Sequence, residues 1–184
     1  MKRLFDLTIA VPATLLLALP MAVVAAAVWL DSGPPVLFGQ VRVGLGGRPF
    51  KILKFRSMVV DAERLGPQRT ASGDPRITRV GRVLRRTSLD ELPQLINVLR
   101  GDMSLVGPRP DVPAQAADYT PADWAARCSV RPGITGLAQA LYRSHATTQQ
   151  RLQADLDYVR RHSVRRDLHI IGLTARQLFR ASGN

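Results

Sequence analysis

The most apolar part of the chain lies near its start, where residues 7–30 carry no charged side chain. As a helix rising about 1.5 Å per residue, this segment is long enough to cross the hydrocarbon layer of a bilayer. Pro12 and Pro20 each remove a backbone donor and crowd the preceding turn, and Pro20 lies near the middle of the segment. The pattern therefore predicts two helices with a break at Pro20.

The charges on either side of this segment bear on its topology. Lys2 and Arg3 precede it, and a run of lysines and arginines between residues 42 and 56 follows it. Because basic flanks favour the cytoplasmic side, both ends are expected on the same side of the membrane. We therefore expect residues 1–30 to form a re-entrant helix-break-helix. A straight anchor and a cleaved signal peptide, with residues 25–27 as the cleavage region, are the alternatives.

Beyond residue 30 the pattern predicts a hairpin. Residues 36–43 and 49–55 flank the turn GLGGR and have the composition of paired strands. The glycines of this turn lack the GK[ST] ending of a phosphate-binding loop, so they are interpreted as a turn. Residues 59–65 are predicted as a short helix, and glycines and prolines between residues 66 and 75 mark a loop.

The remaining chain has helical periodicity. Apolar positions at Ile77, Val80, Val83 and Leu84 predict a basic amphipathic helix. A second helix is predicted from about residue 89 to residue 99, ending at Gly101. Near the C-terminus one face of a helix carries Val164, Leu168, Ile171, Ala175 and Leu178, with arginines around it. That helix either lies on an anionic bilayer surface or packs against the core.

These elements define an α+β fold that is mostly α-helical. The prediction combines a re-entrant membrane segment, a small β-hairpin and amphipathic interfacial helices around an active site at the membrane edge. Residues 31–184 contain no repeat and are expected to form one catalytic unit. The single cysteine, Cys128, excludes an internal disulfide, and three scattered histidines offer no zinc spacing. Any metal is expected to be bound by oxygen, as Mg²⁺ is.

The charge balance narrows the class of partner. With 26 Lys and Arg against 14 Asp and Glu, the formal net charge is +12. Such an excess indicates an anionic partner, either nucleic acid, a membrane surface or a phosphorylated substrate. Aromatic residues make up only 5% of the chain, and no nucleic-acid-binding signature is present. We therefore expect no nucleic acid.

The candidate chemistry lies in residues 87–110, TSLDELPQLINVLRGDMSLVGPRP. Asp90 and Glu91 stand together at the start of a predicted helix, where partial positive charge favours a phosphate and an ionised aspartate nucleophile. The same residues also fit a capping box, in which Ser88 and Glu91 satisfy each other's backbone donors. Cations that could neutralise phosphates are present at Lys54, Arg56, Arg85, Arg109 and Arg131.

The strings KILKFRSM, SLDELPQLINVLRGDMSLVGPRP and VRPGITGLAQ resemble the bacterial sugar transferase family, the small monotopic phosphoglycosyl transferases. The resemblance runs from residue 2 to the final helix. It implies an enzyme that moves a sugar 1-phosphate from a UDP-sugar to polyprenyl (undecaprenyl) phosphate, giving a polyprenyl-diphosphate-sugar and UMP. It also implies that this transfer is the first membrane step of glycoconjugate assembly, and that it takes place at the cytoplasmic face of the bacterial inner membrane.

By that resemblance, Asp90 is the nucleophile that carries the phosphosugar covalently, and Glu91 is its partner. Mg²⁺ would be bound partly through Asp90. The basic residues expected around the nucleotide-sugar phosphates are Lys54, Arg56, Arg85, Arg109 and Arg131.

Three positions depart from the family pattern. Leu19 precedes Pro20 where relatives often have serine, Leu137 replaces a frequent tryptophan, and Asp157 replaces a frequent tyrosine. Asp155 and Asp157 are assigned a supporting role only. A membrane-tethered nucleic-acid binder and a scaffold protein are the alternatives to the enzyme. The transferred sugar, the polyprenol length and the oligomeric state cannot be predicted from these residues.

Overall fold

The computed structural model describes residues 1–62, 64–66, 73–142 and 146–181. It is a mostly helical α+β fold with small two-stranded sheets. The helices are α1 Lys2–Leu16, α2 Ala18–Ser32, α3 Arg79–Thr87, α4 Gln94–Arg100, α5 Pro121–Cys128, α6 Leu137–Tyr142, α7 Thr148–Arg161 and α8 Val164–Ala181. The strands are β1 Leu37–Val43, β2 Pro49–Phe55, β3 Ser104–Val106 and β4 Gly133–Thr135. Short 3₁₀ segments cover Leu45–Gly47, Leu89–Glu91 and Pro113–Asp118.

Helices α1 and α2 form a bent pair, as predicted. They meet at Leu17 with a bend of 58°. Pro20 explains the position of the bend, because it has no N–H for the carbonyl of Leu16 and its ring crowds that carbonyl. Pro12 lies inside α1 without interrupting it. Within the described ranges no helix alone has the length and apolarity to cross a bilayer, whereas this bent pair together has both.

The start of the bent pair is attached to the rest of the protein by buried polar contacts. The Nζ of Lys2 donates to the carboxylate of Asp167 in α8 at 2.5 Å. The carboxylate of Asp6 accepts from the hydroxyl of Ser104, at the beginning of β3, at 2.9 Å. Both carboxylates are almost completely buried. These contacts hold α1 against the centre of the fold.

The end of the bent pair is held by Arg56. Its guanidinium donates to the carbonyl oxygens of Ser32, Gly33 and Pro34, with Nη2 at 2.8 Å from the Ser32 oxygen. The carbonyls at a helix C-terminus have no partner within the helix, so an arginine beside them satisfies these acceptors. Both ends of the bent pair are therefore attached to the same folded unit.

The predicted hairpin is confirmed. Strands β1 and β2 pair antiparallel from Leu37 opposite Phe55 to Val43 opposite Pro49. The three-residue 3₁₀ segment between them is the predicted turn. Strand β2 contributes two buried side chains, Ile52 and Phe55, to separate parts of the core. Its partly buried Lys54 is the basic side chain that this strand brings to the candidate site.

Two helical predictions were wrong in detail. The helix expected over residues 89–99 is a 3₁₀ turn at Leu89–Glu91 followed by α4, because Pro93 interrupts the donor series and stands at the N-cap of α4. Its end at Gly101 is confirmed, with the glycine at φ 93°. A short helix was expected over residues 59–65, but residues 60–62 and 64 form turns, and Glu63 lies outside the described residues. Pro67, in the loop expected after this helix, also lies outside them.

A second small sheet was not predicted. Strands β3 and β4 pair parallel, with Ser104 opposite Gly133 and Val106 opposite Thr135. Each strand has only three residues, which is too short for an alternating pattern to be recognised. Residues 104–106 are all buried, so burial on both faces removes the polar alternation as well.

Helix α8 packs against the core with only part of the predicted stripe, since Ile171 lies against the main cluster as expected but Leu168 does not. Ile170 is fully buried in the main cluster, and Asp167 is buried beside it. Leu168, expected on the apolar face, is 54% exposed. The side chain of Leu178 lies outside the described residues. The main cluster itself consists of Ala10, Ile52, Leu95, Val98, Met103, Leu105, Val106, Ala140, Tyr158 and Ile170.

Candidate active site

The GPRP turn is fixed by the small parallel sheet. The N–H of Gly107 donates to the carbonyl of Thr135 at 2.9 Å, and the N–H of Gly133 donates to the carbonyl of Pro108 at 3.0 Å. A side chain at position 107 would meet the carbonyl oxygen of Arg131 at 2.3 Å, so only glycine allows this approach. The turn directs Arg109 toward the 3₁₀ segment that carries Asp90 and Glu91.

A buried asparagine sets the position of these carboxylates relative to the hairpin. The Oδ1 of Asn97 in α4 accepts from the N–H of Leu53 at 2.9 Å, and its Nδ2 donates to the carbonyl of Lys51 at 2.8 Å. The asparagine is completely buried. Its side-chain amide supplies the hydrogen-bond partners for one N–H and one carbonyl of β2, which would otherwise be buried without them. This contact fixes α4, and with it Glu91, beside Lys54.

Glu91 is held by two cations. Its Oε1 accepts from the Nζ of Lys54 at 2.7 Å and from the Nη2 of Arg109 at 2.8 Å. Burial alone would raise the pKa of Glu91, but the charges of Arg109 and Lys54 and their hydrogen bonds outweigh it and lower the pKa to about 2. Glu91 is therefore an ionised carboxylate across the physiological pH range, and it holds the side chains of Lys54 and Arg109 in place.

Asp90 lies in a different environment from its neighbour. It is 8% exposed, and within the described residues no hydrogen bond or salt bridge engages its carboxylate. Burial raises the pKa of Asp90, and Glu91 adds to this effect, while Lys54, Arg85 and Arg109 oppose it. A carboxylate without partners beside three cations has the character expected of a nucleophile for phosphorus.

Three of the five predicted phosphate-binding cations converge on this pair. Lys54 and Arg109 contact Glu91 directly. Arg85 is exposed in the last turn of α3, and its positive charge acts on Asp90. Burial lowers the pKa of Lys54, an effect that Arg109 increases and Glu91 partly offsets. The result is a cationic surface around one available carboxylate.

The other two predicted cations have different positions. Arg56 is buried with its guanidinium committed to the end of α2, and this leaves its side chain no approach to a phosphate. The Nε of Arg131 donates to the carbonyl of Gly101 at 2.9 Å, at the end of α4 opposite to Asp90 and Glu91. Both were predicted as phosphate ligands from their charge and from the family resemblance, and in the structure both donate to carbonyl oxygens at the ends of helices.

The capping box at Ser88 is not formed. Ser88 has a left-handed backbone conformation, with φ 60°, and its side chain caps no N–H of the following turn. Glu91 does not reach back to Ser88, because its carboxylate is directed to Lys54 and Arg109. The capping interpretation of Glu91 was therefore wrong, and the cation contacts replace it.

Sequence reasoning missed a buried ionic cluster behind Arg109. Arg127 of α5 donates to Asp111 and, through Nη2 at 2.8 Å, to Asp155 of α7, and all three residues are at most 5% exposed. Arg127 and Arg151 also donate to the carbonyl oxygen of Arg109, at 3.2 and 3.1 Å. The cluster therefore holds the main chain of Arg109.

Only part of this cluster had a signal in the sequence. Asp111 directly follows GPRP, and Asp155, which was assigned a supporting role, pairs with Arg127. Arg127 had no such signal, because it is separated from Asp155 by 28 positions. Asp157 has a different position, since it pairs with Arg161 and Arg166 at the contact between α7 and α8.

The chain belongs to the bacterial sugar transferase family, whose model matches residues 1–181. It is 47% identical over 177 residues to a UDP-glucose:undecaprenyl-phosphate glucose-1-phosphate transferase from Caulobacter vibrioides, covering 92% of this chain and 66% of that protein. It is 42% identical to the uncharacterized sugar transferase EpsL of Bacillus subtilis, covering 100% of this chain and 89% of that protein.

A third relative carries a different sugar in its name. The UDP-N-acetylgalactosamine-undecaprenyl-phosphate N-acetylgalactosaminephosphotransferase of Aeromonas hydrophila is 41% identical over 187 residues. The alignment covers 99% of this chain and 44% of that protein. The chain thus spans less than two thirds of the length of both relatives that are named for a substrate.

Proposed function

We propose that this protein transfers a sugar 1-phosphate from a UDP-sugar to a polyprenyl phosphate, the chemistry for which its relatives are named. The acceptor would be undecaprenyl phosphate, and the products would be a polyprenyl-diphosphate-sugar and UMP. The observation that carries the proposal is the pair at residues 90 and 91. Among the residues that the structure describes, the buried carboxylate of Asp90 has no hydrogen-bond or salt-bridge partner, while its neighbour Glu91 holds two cations in place.

In the first step, a carboxylate oxygen of Asp90 attacks the β-phosphorus of the UDP-sugar. The bond between this phosphorus and the bridging oxygen breaks, and the electron pair leaves with UMP. In the second step, a phosphate oxygen of the polyprenyl phosphate attacks the same phosphorus, and the Asp90 carboxylate departs. Each step exchanges one P–O bond for another, so the aspartate is regenerated.

The cations lower the energy of both steps by stabilising negative charge. Arg109 and Lys54 are already ordered by Glu91, so little reorganisation is needed when the diphosphate arrives. Because the pKa of Glu91 is about 2, we assign it to orienting these cations rather than to proton transfer. Arg85, which is exposed, would meet a phosphate group from the solvent or membrane side.

The residues present fit a magnesium ion. Mg²⁺ in phosphate sites typically has one or two protein carboxylates together with substrate phosphates and water. Asp90 offers the carboxylate, since Glu91 is occupied by its cations. Within the described residues no group of three or more Asp, Glu, His or Cys side chains converges, so the chain offers no complete protein cage. When bound, the ion would neutralise charge on the diphosphate.

We also propose that residues 1–30 enter the cytoplasmic leaflet of the bacterial inner membrane and return, leaving residues 31–184 as a catalytic unit on the cytoplasmic face. Exposed leucines on the bent pair, including Leu15, Leu16 and Leu19 at the bend, support burial in lipid. Attachment of both helix ends to one folded unit supports re-entry over crossing. Polyprenyl phosphate would then reach Asp90 along the membrane.

The decisive experiment is covalent trapping. The purified chain in nanodiscs with Mg²⁺ is exposed to UDP-sugars labelled in the sugar, without lipid acceptor, and the label on Asp90 is located by mass spectrometry. The panel includes UDP-glucose and UDP-N-acetylgalactosamine. We expect label on the wild type, none on Asp90→Asn, and normal label on Asp157→Asn, a partly exposed carboxylate outside the site.

The trapping result has two contrary outcomes. UMP release that occurs only with lipid present, and without label on the protein, would indicate a single direct displacement. If no UDP-sugar in the panel gives UMP under any condition, the proposed reaction is refuted.

A further inference from the structure

A cavity of about 550 Å³ lies on the far side of Arg109 from the carboxylate pair, and the proposed reaction does not yet use it. Its volume is within the range of small-molecule binding sites. The polar side chains that line it include Gln40, Arg42, Arg109, Gln115, Tyr119 and Arg151. Arg109 therefore belongs to both the cavity and the site at Glu91.

The walls of the cavity carry an excess of positive charge. Three arginines, Arg42, Arg109 and Arg151, line it together with two aspartates, Asp111 and Asp118. Asp111 already pairs with Arg127 and Arg151. Burial lowers the pKa of Arg42, and the charges of Arg109 and Arg151 lower it further, with Asp111 offsetting only part of the effect. An anion in the cavity would relieve this repulsion.

Arg42 has an unused donor. Its Nη1 donates to the carbonyl of Pro110 at 3.0 Å and its Nη2 to the side chain of Gln40. Its Nε is buried and has no hydrogen-bond partner among the residues that the structure describes. This Nε is enclosed by protein, but each Nη of Arg42 carries a second N–H, so the guanidinium keeps donors that a phosphate in the cavity could accept.

The position of the cavity selects one part of the donor substrate. Its walls come from β1, the GPRP turn, the Pro113–Asp118 segment and α7, and include no residue of α1 or α2. The lipid acceptor is therefore expected on another side of Asp90. A neutral sugar would leave the charge of Arg42 uncompensated, whereas a phosphate and the carbonyl oxygens of a pyrimidine accept hydrogen bonds from guanidinium groups.

We infer that this cavity binds the nucleoside monophosphate half of the UDP-sugar, with Arg42 and Arg109 on the α-phosphate that leaves in UMP. The inference rests on the proposed function and extends it, since it assigns the two ends of the donor to opposite sides of Arg109. It also makes UMP, the released product, a ligand of the same cavity.

The test is UMP binding, which needs neither lipid acceptor nor turnover. Titration calorimetry on the full chain in nanodiscs with Mg²⁺ would compare the wild type with Arg42→Gln. Loss of a charge-assisted contact to phosphate is expected to weaken UMP binding by about tenfold or more. Arg48→Gln, an exposed arginine on the same hairpin, is the matched control and should change the affinity less than about twofold.

A second measurement uses the unmodified chain, so it does not depend on the folding of a variant. Photo-crosslinking with 4-thiouridine 5′-monophosphate should label peptides containing residues 40–42, 112–119 or 148–151, and excess UMP should suppress the label. Label confined to residues 1–32 or to residues 85–91 would overturn the inference.

The remaining outcomes separate the inference from the proposed function. If Arg42→Gln leaves the affinity for UMP unchanged, a nucleotide site in this cavity is refuted while the reaction still stands. The same conclusion follows if inorganic phosphate displaces bound UMP as effectively as unlabelled UMP does. UMP binding that depends on Arg42 in a chain that transfers no sugar phosphate supports the cavity and refutes the reaction.

Discussion

Two groups of carboxylates and arginines lie on either side of Arg109, and they differ in how completely they are paired. In the cluster of Asp111, Arg127 and Asp155, both carboxylates are buried and accept several hydrogen bonds. In the pair at residues 90 and 91, Glu91 accepts from two cations and Asp90 from none within the described residues. The pairing in the first group is that of a structural ion cluster, whereas the second group leaves Asp90 in the state that the proposed nucleophile requires.

The physical reason lies in the balance of desolvation and pairing. Burial raises the pKa of Asp111, but Arg127 and Arg151 outweigh it, so the pKa of Asp111 is lowered. Burial also raises the pKa of Asp90, and there the surrounding cations do not outweigh it. Burial raises the pKa of Asp155 too, against the effect of Arg127 and Arg151, so a raised pKa does not by itself distinguish Asp90 from the ionic cluster. The difference is that Asp155 accepts hydrogen bonds from Arg127, whereas within the described residues Asp90 accepts none.

The comparison predicts the largest effect for Asp90→Asn. We expect the transfer rate to fall by about a thousandfold or more, since the nucleophile is removed. Because folding raises the pKa of Asp90, its charge opposes folding increasingly as the pH rises through that pKa. The neutral amide should therefore leave the thermal unfolding temperature at neutral pH unchanged or raise it. A clear decrease would show that Asp90 is a structural residue.

Asp155→Asn should have the opposite profile. Removing this charge leaves Arg127 buried with one partner fewer, and we expect a loss of about 3 kcal/mol in the free energy of unfolding. Asp157→Asn, two positions along the same helix and about a third exposed, should change it by less than about 1 kcal/mol. Equal effects in chemical or thermal unfolding would contradict the assignment of the cluster to stability.

Arg109 joins the two groups, so its replacement sharpens the comparison. Arg109→Gln removes a contact to Glu91 and a cation facing the diphosphate, and we expect kcat/KM for the UDP-sugar to fall between about 10-fold and 100-fold. Arg131→Gln is the control, because Arg131 contacts Gly101 instead, and its kcat/KM should fall less than about threefold. A comparable loss in both variants would indicate that overall charge matters more than position.

The smallest expected effect is a shift in the pH profile. The proposed mechanism requires ionised Asp90, so the acid limb of kcat/KM should lie above the ordinary aspartate value of 3.8. Glu91, with a pKa of about 2, stays ionised throughout. Lys54 lowers the pKa of Asp90, so Lys54→Gln should move the limb to higher pH. Lys51→Gln, exposed on the same strand, should not move it. A downward shift for Lys54→Gln would refute the assignment.

Several elements of the fold could be predicted because their causes are local. Pro20 bends the N-terminal helices through its own ring, Gly101 ends α4 through its left-handed conformation, and the hairpin follows from two strand-like runs around a glycine turn. The adjacency of Asp90 and Glu91 is also given directly by the chain. For these features, a few neighbouring residues contain all the information.

The parallel sheet of β3 and β4 and the cations of the site were decided by contacts between distant residues. Arginines were predicted as phosphate ligands from their charge and from the family resemblance. Neither distinguishes Arg109, which reaches Glu91, from Arg56, which binds helix carbonyls. The buried pairing of Arg127 with Asp155 depends on how α5 packs against α7. The sequence by itself determined that two carboxylates, Asp90 and Glu91, stand side by side in the chain. Only the tertiary structure decided which cations they meet, because desolvation and pairing depend on packing.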